Sequence, residues 1–181
     1  MSELKAIEAA YVLGLVTEAL KVKENKGVKP RKEIKLNSKI KVFFNKIGFN
    51  HSGDTITYKE ISRIVNKASH PELATDADWK ECHKVFYNET DFINFNYLVD
   101  VYSNDPEGYN RIVDQIRKIQ PVPIYDDLSG DYGCITNTAK IVWYSHETEF
   151  DGAMKNHKGY QYSNFKEFYD DIASGQYMER K

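Results

Sequence analysis

The spacing of apolar residues changes once along the chain, near Pro121. Before it they recur three and four apart; after it they alternate, and one last helical face follows. In PVPIYDDLSGDYGCITNTAKIVWYSHETEF, Val122 and Ile124 stand between prolines. That suits an edge strand, because proline cannot donate to a ladder. Tyr132, Cys134 and Thr136 form one alternating set. Ile141, Trp143 and Ser145 form a second, with Val142, Tyr144 and His146 on the opposite face. Asn137, Thr138 and Ala139 are predicted to join the two as a hairpin. Ser163 is the predicted N-cap of a closing helix whose inner face is Phe165, Phe168, Tyr169 and Ile172, with Gly175 at its stop. Two periods in separate blocks predict an α+β fold: a helical part over residues 1–120, then a small antiparallel sheet and a C-terminal helix over 121–181. A shared core is favoured, because one helix is small cover for such a sheet.

The helical part resolves into segments. Leu4, Ile7, Tyr11 and Leu15, widened by Val12, Val16 and Leu20, give a first helix from Ser2 to about Lys23. Leu36, Ile40, Phe43, Phe44 and Ile47 give a second, stopped at Gly48, with Lys39, Lys41 and Lys46 outside. Thr57 and Glu60 form a capping box with Ile56 and Ile61 as a hydrophobic staple. Thr75 or Asp76 opens a helix with Trp79, Cys82, Val85 and Phe86 inward. Thr90 is read as the cap of the next, with Phe92, Phe95, Val99 and Tyr102 inward. Asp105-Pro106 starts the last, since proline is favoured at the first helical position.

Charge is distributed unevenly. Residues 1–67 carry 14 Lys and Arg against 7 Asp and Glu; the remainder carries 11 against 20. The basic excess centres on residues 21–35, KVKENKGVKPRKEIK, where Gly27 and Pro30 break any helix. Lys23, Lys26, Lys29, Arg31, Lys32 and Lys35 are therefore candidate phosphate contacts to a nucleic acid or nucleoprotein, through salt-sensitive, sequence-tolerant binding. The rival account is internal: the arm lies against Asp126, Asp127, Asp170 and Asp171. The run Tyr11–Val16 is too short to span a bilayer, so no membrane is implied. Two lone cysteines, Cys82 and Cys134, argue against a disulfide framework and for a reducing cytoplasm. Lysine outnumbers arginine, and Asn, Ile and Tyr are common, the bias of AT-rich coding in many low-GC bacteria and their phages.

Gly130-Asp131 entering a strand, the strand Lys140–Tyr144 reached through a hairpin, His146-Glu147, and Ser163 followed by Phe165 together resemble the C-terminal half of the SUKH superfamily of toxin-immunity and cell-wall-regulator proteins. The resemblance covers about fifty of 181 residues. The family's usual N-terminal signature, a Leu-Pro, an acidic-aromatic helix and Asn-Gly, is absent. The resemblance implies a protein partner and a non-enzymatic role of inhibitor or immunity type.

Signals for chemistry are sparse, so no catalytic residue, cofactor or metal ligand is assigned. His146-Glu147 lacks the second histidine of HExxH, because Phe150 stands in its place. Asp126, Asp127 and Asp131 could hold a hard cation, but acid-rich turns are more often simply solvated. His146, His157 and Lys140 could support metal-free RNA cleavage, which makes a small nuclease one alternative. Thr57–Val65 followed by Asp76–Phe86 could form a helix-turn-helix regulator of DNA, the other alternative; its connector is long, and Asp76, Asp78 and Glu81 would repel the duplex. Recognition remains. Tyr132, Trp143, Tyr144, Tyr160 and Tyr162 are the expected partner-binding anchors, because alternation should leave one face of the sheet outward and Tyr and Trp dominate interface energetics.

Overall fold

The sheet that the alternation predicts is present, and helices cover both of its faces. The computed structural model describes residues 30–145, 161–162 and 165–175. The predicted first helix, Lys23, Lys26, Lys29, His146, Glu147, His157, Tyr160 and Ser163 lie outside the described residues. Four antiparallel strands, β3 (Val122–Asp126), β4 (Tyr132–Ile135), β5 (Ile141–Tyr144) and β6 (Gln161–Tyr162), stand in the order β3-β4-β5-β6. The proline-flanked β3 is an edge strand, as proline demands. It carries a bulge: Pro123 pairs with Cys134 and Tyr125 with Gly133, leaving Ile124 as the extra residue. That one residue puts Tyr125 on the same face as Val122. The β4–β5 hairpin closes through Asn137, Thr138 and Ala139, with Ala139 left-handed at φ 61° and its N–H donating to the Thr136 carbonyl at 2.9 Å. This is the usual geometry of a three-residue loop.

The helical part holds β1 (Ile34–Lys35), α1 (Ser38–Lys46), β2 (Thr55–Ile56), α2 (Tyr58–Ile61), α3 (Ile64–Lys67), α4 (Asp76–Phe86), α5 (Glu89–Phe95), α6 (Leu98–Val101) and α7 (Pro106–Ile119); α8 (Phe165–Ser174) follows the sheet. This part is not purely helical, because Ile34 pairs with Ile56 and Lys35 with Thr55 in a two-stranded ladder. The Thr57–Glu60 capping box is formed, and a second joins Thr75 to Asp78. Asp105 caps α7 by accepting the Gly108 N–H at 2.8 Å. The cap of α5 is Asn88 rather than Thr90: its side-chain oxygen accepts the Asp91 N–H at 3.0 Å, which starts the helix two residues early. Asparagine offers the same short acceptor as threonine and stands at the turn itself.

Two apolar clusters fill the molecule, one on each face of the sheet, and both draw on residues either side of Gln120. The first joins Ile40, Phe44, Ile61, Ile64, Trp79 and Phe86 to Val122, Ile135, Ile141, Trp143, Phe165 and Phe168. The second joins Phe92, Leu98, Tyr109, Ile112 and Ile116 to Cys134, Val142 and Tyr144. Each large side chain so buried contributes about 1.5–3 kcal/mol. Polar contacts fix the corners. His83 Nε2 donates to the Gln120 carbonyl at 2.7 Å, and the Asn137 N–H and side-chain amide reach the Ile119 and Lys118 carbonyls at 3.0 and 3.2 Å. Burial lowers the His83 pKa, and the Gln120 hydrogen bond opposes that shift. Trp143 donates to the Tyr162 hydroxyl at 3.3 Å, which in turn donates to the buried Asp171 carboxylate.

Because the clusters cross Gln120, residues 1–120 alone would expose both inner faces. Truncation after Gln120 is expected to leave a fragment with weak helical circular dichroism and no cooperative melt. A cooperatively unfolding helical fragment would show a helical domain that stands without the sheet.

Candidate partner-binding surface

The predicted aromatic anchors are placed mainly inside the molecule. Trp143 is 3% exposed, and Tyr144 and Tyr162 are likewise buried. The expectation of an outward-looking sheet face is corrected: the predicted alternation is real, but α5, α6 and α7 cover the face carrying Tyr144, and α1–α4 and α8 cover the face carrying Trp143. Tyr132 is the exception and stays half-buried. Its ring lies 5.0 Å from Phe95 and 6.4 Å from Tyr144. Burial raises its pKa, and the nearby charges of Asp126 and Asp127 and the phenol of Tyr97 add to that rise.

Of the basic arm, Arg31, Lys32 and Lys35 lie among the described residues, and Arg31 is placed differently from either sequence-based account. The Arg31 N–H and Nε donate to the two oxygens of Asp91 at 2.8 and 2.6 Å, and Nη2 donates to the Phe86 carbonyl at 3.0 Å. Asp91 is 2% exposed. Arg31 therefore neutralises a buried carboxylate and is committed to the fold. The internal partners named from sequence are engaged elsewhere: Asp126 lies 3.8 Å from Arg63, Asp170 pairs with Lys166, and Asp171 accepts from Tyr162. Lys32 and Lys35 remain exposed, Lys35 within β1.

Among the described residues, two exposed apolar side chains, Tyr97 and Val101, stand one helical turn apart just after Phe95, whose ring meets Tyr132 at the start of β4, and a third, Leu128, stands in the turn that leads into β4. Tyr97, Val101 and Leu128 are 71%, 66% and 79% exposed. Tyr97 precedes α6 in a left-handed conformation, φ 54° and ψ 29°, and Leu128 is left-handed at φ 66° in the β3–β4 turn. Such a backbone costs a non-glycine residue on the order of 1–3 kcal/mol, and strain of this kind clusters at functional sites. Neither side chain regains it through burial. The turn is held rigid from within: Asp126 accepts the Leu128 N–H at 2.8 Å, and Asp127 accepts the Ser129 and Asp131 N–H groups at 2.8 and 3.1 Å. Arg63 and the Asn66 amide, which reaches the Asp126 carbonyl at 3.3 Å, dock its base on α2 and α3. Tyr132 is among the residues named from sequence; Tyr97 and Leu128 are not. Their only signal was a large apolar residue at a turn position that suits Gly or Asn.

A concavity of about 440 Å³ lies between α1 and α4 and is lined by Lys39, Val42, Phe43, Ala77, Asp78 and Glu81. The Lys46–Asp78 ion pair, at 2.7 Å, ties the same two helices together. Among the described residues, no three His, Cys, Asp or Glu side chains converge as metal ligands would, and no helix is long and apolar enough to cross a membrane. Cys82 and Cys134 are buried thiols, and burial raises both pKa values. Compared with known proteins, the chain matches no family model, no curated protein and no solved structure.

Arg31→Ala would leave Asp91 buried without its counter-charge. Because Arg31 is itself about one-third exposed, the expected loss is about 2–3 kcal/mol, below the range for a fully buried pair. Lys32→Glu and Lys35→Glu should leave the urea midpoint within error of wild type. Equal stability of Arg31→Ala and wild type would return Arg31 to the pool of free basic residues.

Proposed function

We propose that this protein is a non-enzymatic binding protein of inhibitor or immunity type that acts on another macromolecule, with a protein as its partner. The observation that carries the reading is the corner at Tyr97, Val101, Leu128 and Tyr132. Three large apolar groups stand in solvent there, two of them on a left-handed backbone whose cost their side chains do not recover through burial. Rigid apolar and aromatic side chains of this kind lose little freedom on binding, which favours them as anchors. The resemblance of Gly130-Asp131, Lys140–Tyr144 and the closing helix to the SUKH superfamily supports the same class. The anchoring role expected of Trp143, Tyr144 and Tyr162 passes in this reading to side chains that are already exposed. Two buried free thiols support a reducing cytoplasm as the place of action.

The test is capture from extracts of the source cell by immobilised protein, followed by binding measurement with the purified partner. Tyr97→Glu combined with Leu128→Glu is expected to weaken binding at least a hundredfold while the melting temperature stays close to that of wild type. Val42→Glu, on the groove between α1 and α4, should bind as wild type does. Unchanged binding by the double variant would refute the reading, as would turnover of RNA or DNA by the purified protein.

A further inference from the structure

The groove between α1 and α4 sets apolar side chains in an open concavity. Phe43 and Val42 line it from α1, the first buried and the second 67% exposed, and the exposed Ala77 lines it from α4. Such a surface is stabilised when an apolar face covers it. The chain carries a segment of that kind outside the described residues. In LKAIEAAYVLGLVTEAL, residues 4–20, 12 of 17 residues are apolar and three are charged, so its helical pattern is apolar well beyond one stripe and calls for burial against a neighbour. The segment is also within reach. The described residues begin at Pro30, and Arg31 beside it donates through Nη2 to the Phe86 carbonyl at the C-terminal end of α4. Glu81, Asp78 and Ala77 line the groove from that same helix, five, eight and nine residues before Phe86. At about 1.5 Å per residue, that is about 7–14 Å back along the axis. Residues 21–29 span at most about 30 Å when extended, so they bridge the distance with length to spare.

We propose that this groove is the seat of the chain's own N-terminal segment, with Ile7, Tyr11 and Leu15 packed on Val42, Phe43 and Ala77. Ile7, Tyr11 and Leu15 recur every four residues and so form one ridge, the shape that fills a groove between two helices. The tether decides between this segment and the same segment of another copy. A connection of nine residues, 21–29, holds it near the groove at an effective concentration on the order of millimolar. Docking there covers Val42 and keeps the segment's apolar face away from other chains. The inference is independent of the binding reading above, which assigns none of these residues to the partner.

The experiment uses the full chain with Lys80→Cys carrying a nitroxide spin label. Lys80 is exposed on α4 and does not line the groove, and the native Cys82 and Cys134 are buried away from the reagent. In the NMR spectrum of the isotope-labelled chain, the amide signals of Ile7, Tyr11 and Leu15 are expected to lose most of their intensity, and to regain it when the nitroxide is reduced. Val42→Glu in the same spin-labelled chain should restore those signals, because a carboxylate then stands where the ridge would pack. Val42 is exposed, so signals from β3 to β5 should stay in place and show that the fold is kept. Val101→Glu, the matched change at another exposed valine, should restore nothing. A mixture of spin-labelled chains with isotope-labelled chains that carry no nitroxide should show no loss of intensity. Full intensity of Ile7, Tyr11 and Leu15 in the spin-labelled chain would overturn the proposal, as would a loss that survives Val42→Glu. Loss of intensity in the mixture would put the segment of one copy in the groove of another, which also overturns it.

Discussion

The contact on which the rest of the structure depends is the ring of Phe168 laid over Gly133. A Cβ on Gly133 would stand 2.4 Å from Phe168 Cζ and 2.9 Å from Cε2, so only glycine lets the ring approach the strand. Tyr125 and Trp143 flank it from the neighbouring strands, with ring centroids 5.8 Å from Phe168 in each case, and Tyr162 closes the third side at 5.1 Å. A bare strand position is thus covered by an aromatic ring from α8, a known way to stabilise glycine in sheets. The bulge at Ile124 serves the same contact, because without it Tyr125 would face the other cluster. From this point the first cluster spreads outward through Phe165 to Trp79, 4.1 Å apart, and so to α4 and α1.

Filling both faces of the sheet decides where recognition can occur. A half-open sheet would have offered Trp143 and Tyr144 to a partner. Here Tyr144 packs edge-on against Phe92 at 5.5 Å, and Trp143 belongs to the Phe168 cluster. Among the described residues, exposed apolar groups near the sheet are those of the β3–β4 turn and of the segment after Phe95, whose ring lies 5.0 Å from Tyr132. The basic arm, by contrast, is drawn inward at Arg31, and its interaction with Asp91 bridges the chain before β1 to the start of α5.

Much of this fold was legible from local patterns. The capping box at Thr57, the Asp105-Pro106 start, the edge strand at Val122 and the hairpin at Asn137–Ala139 each rest on neighbouring residues, and local chemistry decides them. The ladder between Ile34 and Ile56 was not legible, since a two-residue strand leaves no period to read. Nor was the pairing of Arg31 with Asp91, sixty residues apart, because charge runs in sequence do not say which acid is buried. The candidate site was legible only at Tyr132. Tyr97 and Leu128 depend on a backbone conformation that their side chains disfavour, and propensity cannot foresee a residue used against its preference.

The most direct test of this account is the urea unfolding of Gly133→Ala, alone and combined with Phe168→Leu. The account predicts that the added methyl overpacks the Phe168 ring and lowers stability by about 1–3 kcal/mol. It also predicts that Phe168→Leu costs clearly less in the alanine background than in wild type, because the two changes share one contact. A Gly133→Ala protein as stable as wild type, or strictly additive losses, would contradict it.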